Sequence, residues 1–311
     1  MERKAIILGG PTGVGKTSLS ISLAKEFKAD IISADSAQVY RGLDIGTAKI
    51  KKEEMEGVTH HLLDVIEPIR KYSVGEFAET VNTLLQEKYR KKENILLVGG
   101  TGLYLSAVSD GLSALPSANA ELREQFLQRS TEDLYQELLR QDPLSASGIH
   151  PNNRVRIERA LEVFTLTGKS FAVLSKQNVK RNEYSFYKVA LERERGKLYE
   201  RIDQRVDKMI EEGLEREVRT LYQSYGKALK KLRIIGYAQM IEYLDGVISL
   251  PKAIELIKRD SRHYAKRQFT WFKQKKDYIW YNLDEQSEEE ILEEILSCKI
   301  KCHSVAKEKE P

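Results

Sequence analysis

Apolar and polar positions fall into blocks that switch between two periods along the chain. Short apolar runs closed by turn residues mark buried parallel strands at residues 5–8, 30–33, 61–66, 95–98 and 187–191, with a sixth at 278–283. Helical stripes lie between them. In one, Val74, Phe77, Ala78, Val81, Leu84 and Leu85 share a face of a helix that runs on to Lys88. Strand alternating with helix predicts an α/β fold built on a doubly wound parallel sheet.

The alternation stops at Gly111 and resumes near Tyr187, and the stretch between carries helix signals without a convincing strand. It reads as a helical insertion domain. Ser117 is placed to cap a helix through Phe126. Asn152 or Asn153 can cap another, whose apolar positions Ile157, Ala160, Leu161 and Phe164 end at Gly168. The expected division is residues 1–112 as the first part of the core, 113–185 as the insertion, 186–300 as core completion with basic C-terminal helices, and 301–311 as a charged tail that frays. Helices are expected at 197–212, at 232–244, and in a long element opening at Pro251.

Composition changes this picture in two places. The chain has 311 residues, 41% of them hydrophobic, enough for one large core and a smaller lobe. No apolar run approaches the roughly 18 residues of a membrane span, and the start leads into a strand rather than a signal peptide, so a cytoplasmic protein with no membrane partner is expected. The net charge of +4 hides segregation: residues 258–276 hold eight Lys/Arg against Asp260 alone, and 284–294 hold seven Asp/Glu and no Lys/Arg. Cys298 and Cys302, beside His303, make at most half of a metal site and read as reduced, incidental thiols.

The strongest chemical signal is Gly10-Pro-Thr-Gly-Val-Gly-Lys-Thr17, a P-loop between an apolar strand and a helix. Gly10, Pro11, Thr12, Gly13, Val14, Gly15, Lys16 and Thr17 would cradle a diphosphate with backbone N–H groups, the helix N-terminus and the Lys16 charge, with Thr17 offering its hydroxyl to Mg²⁺. Nucleotides, ATP among them, are the ordinary occupants of such a loop. Here, however, the strand at 95–98 ends in Gly99-Gly-Thr-Gly102, which supplies a hydroxyl, Thr101, and no carboxylate. The candidate acid is Asp35, after the second strand. It either assists Mg²⁺, as in a nucleotide or small-molecule kinase, or takes a proton from a nucleophile.

Six ordered blocks resemble one family, the tRNA dimethylallyltransferases. They are Gly9-Gly-Pro-Thr-Gly-Val-Gly-Lys-Thr17, the run from Ser33 to Lys49, His60-His-Leu-Leu-Asp64, Val98-Gly-Gly-Thr-Gly-Leu-Tyr104, Arg159-Ala-Leu-Glu-Val163 and Ala265-Lys-Arg-Gln-Phe-Thr-Trp-Phe272. The resemblance implies transfer of a dimethylallyl group from dimethylallyl diphosphate to the exocyclic amine of the adenosine 3′ of the anticodon. It implies Asp35 as general base, with Thr101 and Arg205 joining Lys16 around the diphosphate. Arg201 and Arg205 share a helix face, and Arg201 reads as a solvated partner of Asp203 and Asp207.

The resemblance also implies how tRNA is held. Asp35, Ser36, Ala37 and Gln38 would contact the flipped adenine, and Arg123, Arg156 and Arg159 of the insertion would grip the anticodon stem-loop. The block at 233–239 brings in Arg233, Gly236 and Tyr237. On the long C-terminal helix, Arg259, Arg262, Lys266 and Lys273 form a face suited to phosphates, while Tyr264 and Trp271 read as packing rather than as stacking platforms. A monomer is expected.

Overall fold

A computed structural model of the protein describes residues 3–177, 179–180 and 184–304. The chain divides into two compact units, Met1–Ser109 with Glu183–Pro311, and Asp110–Asn182. In chain order the strands are β1 (Arg3–Gly9), β2 (Ala29–Ser33), β3 (His60–His61), β4 (Asn94–Gly99), β5 (Leu112–Ser113), β6 (Val179–Lys180), β7 (Tyr184–Glu192) and β8 (Ile279–Asn282). Six of them form one sheet in the order β3-β2-β4-β1-β7-β8, with every pairing parallel. The sheet is buried on both faces, which is why its strands read as nearly continuous apolar runs. All six expected strands are present.

The first unit carries helices α1 (Lys16–Phe27), α2 (Val74–Arg90) and α3 (Gly102–Ser109). The second unit has α4 (Ala120–Leu127), α5 (Thr131–Gln141), α6 (Pro143–Ala146), α7 (Arg154–Thr167) and α8 (Phe171–Leu174), packed on a core of Phe126, Leu134, Leu138, Ile157 and Leu161. The first unit then resumes with α9 (Arg195–Glu211), α10 (Leu214–Tyr225), α11 (Tyr237–Leu244), α12 (Leu250–Lys273) and α13 (Glu288–Ser304). Because the six strands run parallel, the segments leaving β1, β2, β4 and β7 emerge at one edge, where ligands of open α/β sheets bind.

Several local expectations change. The run at 61–66 pairs only over His60–His61, because Leu62 (φ 65°) and Asp64 (φ 54°) turn left-handed; Ile66 returns in a single parallel bridge to Tyr40. The α4 cap is Asn119 rather than Ser117: the Leu122 N–H donates to Asn119 Oδ1 at 2.9 Å. Asn153 rather than Asn152 caps α7. The helix expected at 232–244 starts only at Tyr237, since Arg233 (φ 50°) and Gly236 (φ 93°) break the run. The insertion is not strandless, because β5 and β6 pair antiparallel. Helix α13 reaches Ser304, so the charged stretch from Lys299 starts helical; residues from 305 on lie outside the described ones. The side chains of Cys298, Cys302 and His303 lie outside the described residues too. Among the described residues, no helix is long and apolar enough to cross a membrane.

Candidate active site

The loop from Gly10 to Gly15 links β1 to α1 in the conformation its glycines permit, with φ of 144° at Gly10, 79° at Gly13 and 118° at Gly15. A Cβ at Gly10 would also stand 2.9 Å from the Leu191 carbonyl oxygen of β7. Lys16 folds back over the loop and donates to the carbonyls of Gly10 (2.9 Å) and Pro11 (2.8 Å). Burial pushes its pKa down to about 7; the Asp35 carboxylate pulls it up again and the Arg205 guanidinium pushes it further down. Thr17 is exposed at the start of α1.

That pKa has a thermodynamic consequence. A polyanion in the loop would favour the ammonium form, so above about pH 7 the binding of a diphosphate there would draw a proton onto Lys16. Calorimetric titration with dimethylallyl diphosphate near pH 8, in two buffers of different ionisation enthalpy, is expected to show uptake approaching about one proton. Uptake of none would contradict the assignment. Folding shows the opposite linkage: the unfolded chain holds this proton up to about 10.5, so in the free protein Lys16 adds stability as pH rises from about 7 toward that value.

Around the loop the structure gathers the other expected groups. Asp35, half-buried, accepts from the Ala37 N–H at 2.8 Å. The Ser36 N–H donates to Thr101 Oγ1 at 3.1 Å, which ties the loop after β2 to the glycine turn after β4. Arg205, projecting from α9, donates to Thr12 Oγ1 (3.1 Å) and the Thr47 carbonyl (3.2 Å). Burial lowers its pKa and Asp35 opposes that. The Gln38 amide is engaged already, with Ser33 Oγ and the carbonyls of Thr47 and Ala48.

These groups open onto a cavity of about 480 Å³. Thr12, Asp35, Ser36 and Arg205 line it on the polar side, and Ile202, Val206, Met209, Ile235 and Ile257 supply an aliphatic wall, with Tyr40, Tyr72, Tyr104 and Tyr264 between. Three of the wall residues, Ile202, Val206 and Met209, follow helical spacing along α9 beside Arg205, so one helix face carries both the cation and the apolar surface. That stripe was legible as core but not as cavity lining.

Sequence reasoning missed four supports. Arg201 is not an ion-pair partner of Asp203 and Asp207; its Nε donates to the Gly13 carbonyl at 3.0 Å, while Asp203 binds Arg262 and Asp207 binds Lys258. Arg193 holds the back of the loop through the Val14 carbonyl (2.8 Å) and is itself fixed by Asp284 (2.9 Å). Tyr264 lies beside Thr101, Gln268 and Asp35, and burial and then Asp35 raise its pKa. Buried Gln268 accepts from the Thr12 N–H at 2.8 Å.

Two expected RNA contacts are corrected. Tyr237 is buried, with 1% of its surface exposed, and its hydroxyl donates to Glu217 at 2.5 Å. Glu217 also accepts from the backbone N–H groups of Asp44 (3.2 Å), Ile45 (2.8 Å) and Gly46 (3.3 Å). Gly236, likewise buried, donates to Gln239 Oε1 at 2.9 Å. Both residues are buried, and Glu217 links Tyr237 to the backbone at 44–46, of which Gly46 lines the cavity. Replacing Tyr237 by phenylalanine is expected to cost about 1–3 kcal/mol in chemical unfolding, with tRNA affinity unchanged. A normal stability with weakened tRNA binding would restore the RNA-contact role.

The remaining RNA candidates differ in availability. In the second unit, Arg123 (2.8 Å) and Arg159 both bind Glu162, whose side chain is fully buried. Burial alone would raise the Glu162 pKa, yet hydrogen bonds from Arg123, Arg159 and the Asn119 N–H hold it below the carboxylate range. Arg156 is exposed on the same helix. On α12, the cationic face is largely neutralised: Arg262 pairs with Asp203 of α9 (2.5 Å), Lys273 with Glu192 of β7 (2.8 Å), and Arg259 with Asp260 of its own helix (2.8 Å). Lys266 and Arg267 are exposed and, with His263, Thr270, Trp271 and Gln274, line a groove of about 520 Å³. Arg233 is exposed at the cavity mouth.

Fold and site together define a P-loop transferase. A family model described as IPP transferase matches residues 38–275. The chain is 56% identical over 292 residues to a tRNA dimethylallyltransferase of Fusobacterium nucleatum, covering 94% of this chain and 96% of that one. A tRNA dimethylallyltransferase of Anoxybacillus flavithermus is 44% identical over 288 residues, covering 92% and 93%. Among solved structures, a tRNA isopentenylpyrophosphate transferase from Bacillus halodurans superposes with a TM-score of 0.74 at 39% identity, over 99% of this chain and 100% of that one. A eukaryotic dimethylallyltransferase acting on tRNA gives a TM-score of 0.75 at 27% identity, over 90% and 74%. The chain belongs to the IPP transferase family and is a prenyltransferase of the tRNA dimethylallyltransferase type.

Proposed function

We propose that the protein transfers the dimethylallyl group of dimethylallyl diphosphate to the exocyclic amine of the adenosine immediately 3′ of the anticodon in tRNA. One observation carries this reading: Thr12 of the P-loop and Arg205 line the same cavity as an aliphatic wall. A donor with a charged head and a short branched hydrocarbon fits both halves. Phosphoryl transfer from ATP would make no use of the aliphatic side of the cavity.

In this reading the allylic C–O bond breaks and its electron pair leaves with the diphosphate. Lys16, the loop N–H groups, Arg205 and Thr101 stabilise the charge that develops there. The adenine amine supplies the pair for the new C–N bond, and Asp35 accepts the proton that the amine must lose. What supports this role is that Asp35 lines the cavity beside Ser36 and Ala37, together with Thr12 and Arg205.

Mg²⁺ fits this chain as a partner of the diphosphate rather than as a caged ion. Among the described residues no cluster of three or more His, Cys, Asp or Glu offers a protein cage. Thr17 is exposed at the head of α1, and Mg²⁺ commonly takes one or two protein oxygens and completes its shell with phosphates and water. When bound, it would neutralise charge on the leaving group, with Thr17 as its protein ligand.

For the RNA, Ser36, Ala37 and Gln38 would meet the flipped base. Arg123, Arg156, Arg159, Arg233, Lys266 and Lys273 would meet the anticodon stem-loop, and Arg156, Arg233, Lys266 and Lys273 are the exposed ones. The test is incubation with labelled dimethylallyl diphosphate, Mg²⁺ and either unmodified tRNA or AMP, beside an ATP-turnover assay. Label in tRNA supports the reading. Label in AMP alone, or ATP turnover without prenyl transfer, overturns it.

A further inference from the structure

Helix α12 presents a row of side chains to backbone that has no Cβ to keep it away. A Cβ at Gly9 would strike the Phe272 ring, one at Gly102 the Trp271 ring, and one at Gly100 the Gln268 amide nitrogen. Gln268 is the polar member of this row, with 6% of its surface exposed. Its Oε1 accepts from the Thr12 N–H in the P-loop at 2.8 Å, and its Nε2 donates to the Gly100 carbonyl at 2.9 Å. A single amide therefore bridges the loop after β1 and the turn after β4.

Both ends of that bridge lead to the reacting groups. Thr12 receives Arg205 on its hydroxyl (3.1 Å), and Gly100 precedes Thr101, whose hydroxyl accepts from Ser36 N–H (3.1 Å) beside Asp35. Tyr264, one helical turn from Gln268, lies close enough to Thr101 and Gln268 for both to act on its phenol. Only one orientation of the amide works, because its oxygen must face an N–H and its nitrogen a carbonyl. A buried polar bridge with both ends satisfied fixes geometry, whereas one left half-satisfied is costly.

From this geometry we infer that Gln268 is a positioning residue for prenyl transfer: it sets the separation between the diphosphate cradle and Thr101, and so the alignment of leaving group and base. The inference rests on the proposed reaction. It acts on the rate of the chemical step rather than on tRNA capture, since Gln268 is buried and reaches no RNA.

The test uses Gln268→Met and Gln268→Glu in the full-length protein, with wild type alongside. Methionine keeps the volume and loses both hydrogen bonds. Glutamate, when protonated, again offers one acceptor and one donor; when ionised, it turns an acceptor against the Gly100 carbonyl. The charged and titratable groups around it are Lys16 from the P-loop, Arg205 from α9, Asp35 after β2, and Tyr264 and Arg267 on α12, all present in wild type too. Rates are therefore taken as the ratio to wild type at each pH.

Single-turnover transfer of label to tRNA is expected to fall on the order of 100-fold in Gln268→Met, with the Kd for tRNA within about twofold of wild type. The deficit of Gln268→Glu is expected to shrink as pH is lowered, and that of Gln268→Met to stay constant. Should either variant fail to fold, Gly100→Ala moves the same amide from the other side at a residue without a left-handed φ, and a loss of rate with intact tRNA binding is expected again. A Gln268→Met enzyme as fast as wild type, a Gln268→Glu deficit equal at every pH, or a fully active Gly100→Ala overturns the inference. A wild type that transfers no label would instead overturn the proposed reaction.

Discussion

Replacing Asp35 by asparagine is expected to lower the rate of prenyl transfer by about 100- to 10,000-fold while leaving dimethylallyl diphosphate bound at least as tightly as in wild type. The two effects separate because of where the carboxylate lies. Asparagine retains an oxygen to accept the Ala37 N–H, which Asp35 binds at 2.8 Å, so the loop keeps its shape. What disappears is the base. What also disappears is a negative charge acting on Lys16 and Arg205, the two cations assigned to the diphosphate. At or below about pH 7, where Lys16 is readily protonated, removing an anion from that neighbourhood relieves repulsion toward the incoming diphosphate. A variant that lost Mg²⁺-dependent diphosphate binding would reassign Asp35 to the metal, as in a kinase.

Arg205→Ala is expected to cost on the order of 100- to 1,000-fold in turnover, the size of effect seen when one donor to a developing anion is removed. Arg205→Lys is expected to recover little of this. The guanidinium spans Thr12 Oγ1 and the Thr47 carbonyl at 3.1 and 3.2 Å, and an ammonium on a thinner stem cannot hold both and still face the diphosphate. A second readout distinguishes charge from packing. Arg205 helps to depress the Lys16 pKa, so its removal raises that pKa and reduces the proton uptake on diphosphate binding near pH 8. Unchanged proton uptake, or full activity in the lysine variant, would count against the assignment.

How much of this was written in the linear sequence depends on the range of the interaction. The P-loop was plain, since its glycines, Lys16 and flanking strand and helix all lie within residues 3–27, and local steric rules fix their geometry. The parallel sheet was plain as well, because strands buried on both faces must read as apolar runs. The end of the run at 61–66 was not, since left-handed turns at Leu62 and Asp64 leave no trace in hydrophobicity.

Long-range polar pairing was the least legible. Tyr237 looks like a candidate for RNA because it sits in a polar, family-like block, but its hydroxyl is claimed by Glu217, twenty residues away. The cations of α12 form a basic stripe in one dimension; in three, Asp203 and Glu192 arrive from α9 and β7 to neutralise part of it. Gln268 stood in plain view within the run 265–272, yet an amide between Arg267 and Phe269 has no signature until two glycine turns close around it. The groups assigned to the diphosphate were recognisable from type and spacing; what positions them was not.

The central claim is that the P-loop serves a departing diphosphate while an adenine amine takes the allylic carbon. Its most direct test is the product balance of one reaction: labelled dimethylallyl diphosphate with unmodified tRNA, followed by mapping of the label and analysis of the released phosphate. The account predicts one intact diphosphate released for each dimethylallyl group, and all label on the amine of the adenosine 3′ of the anticodon. Release of orthophosphate in its place, or label on any other atom of the tRNA, would contradict it.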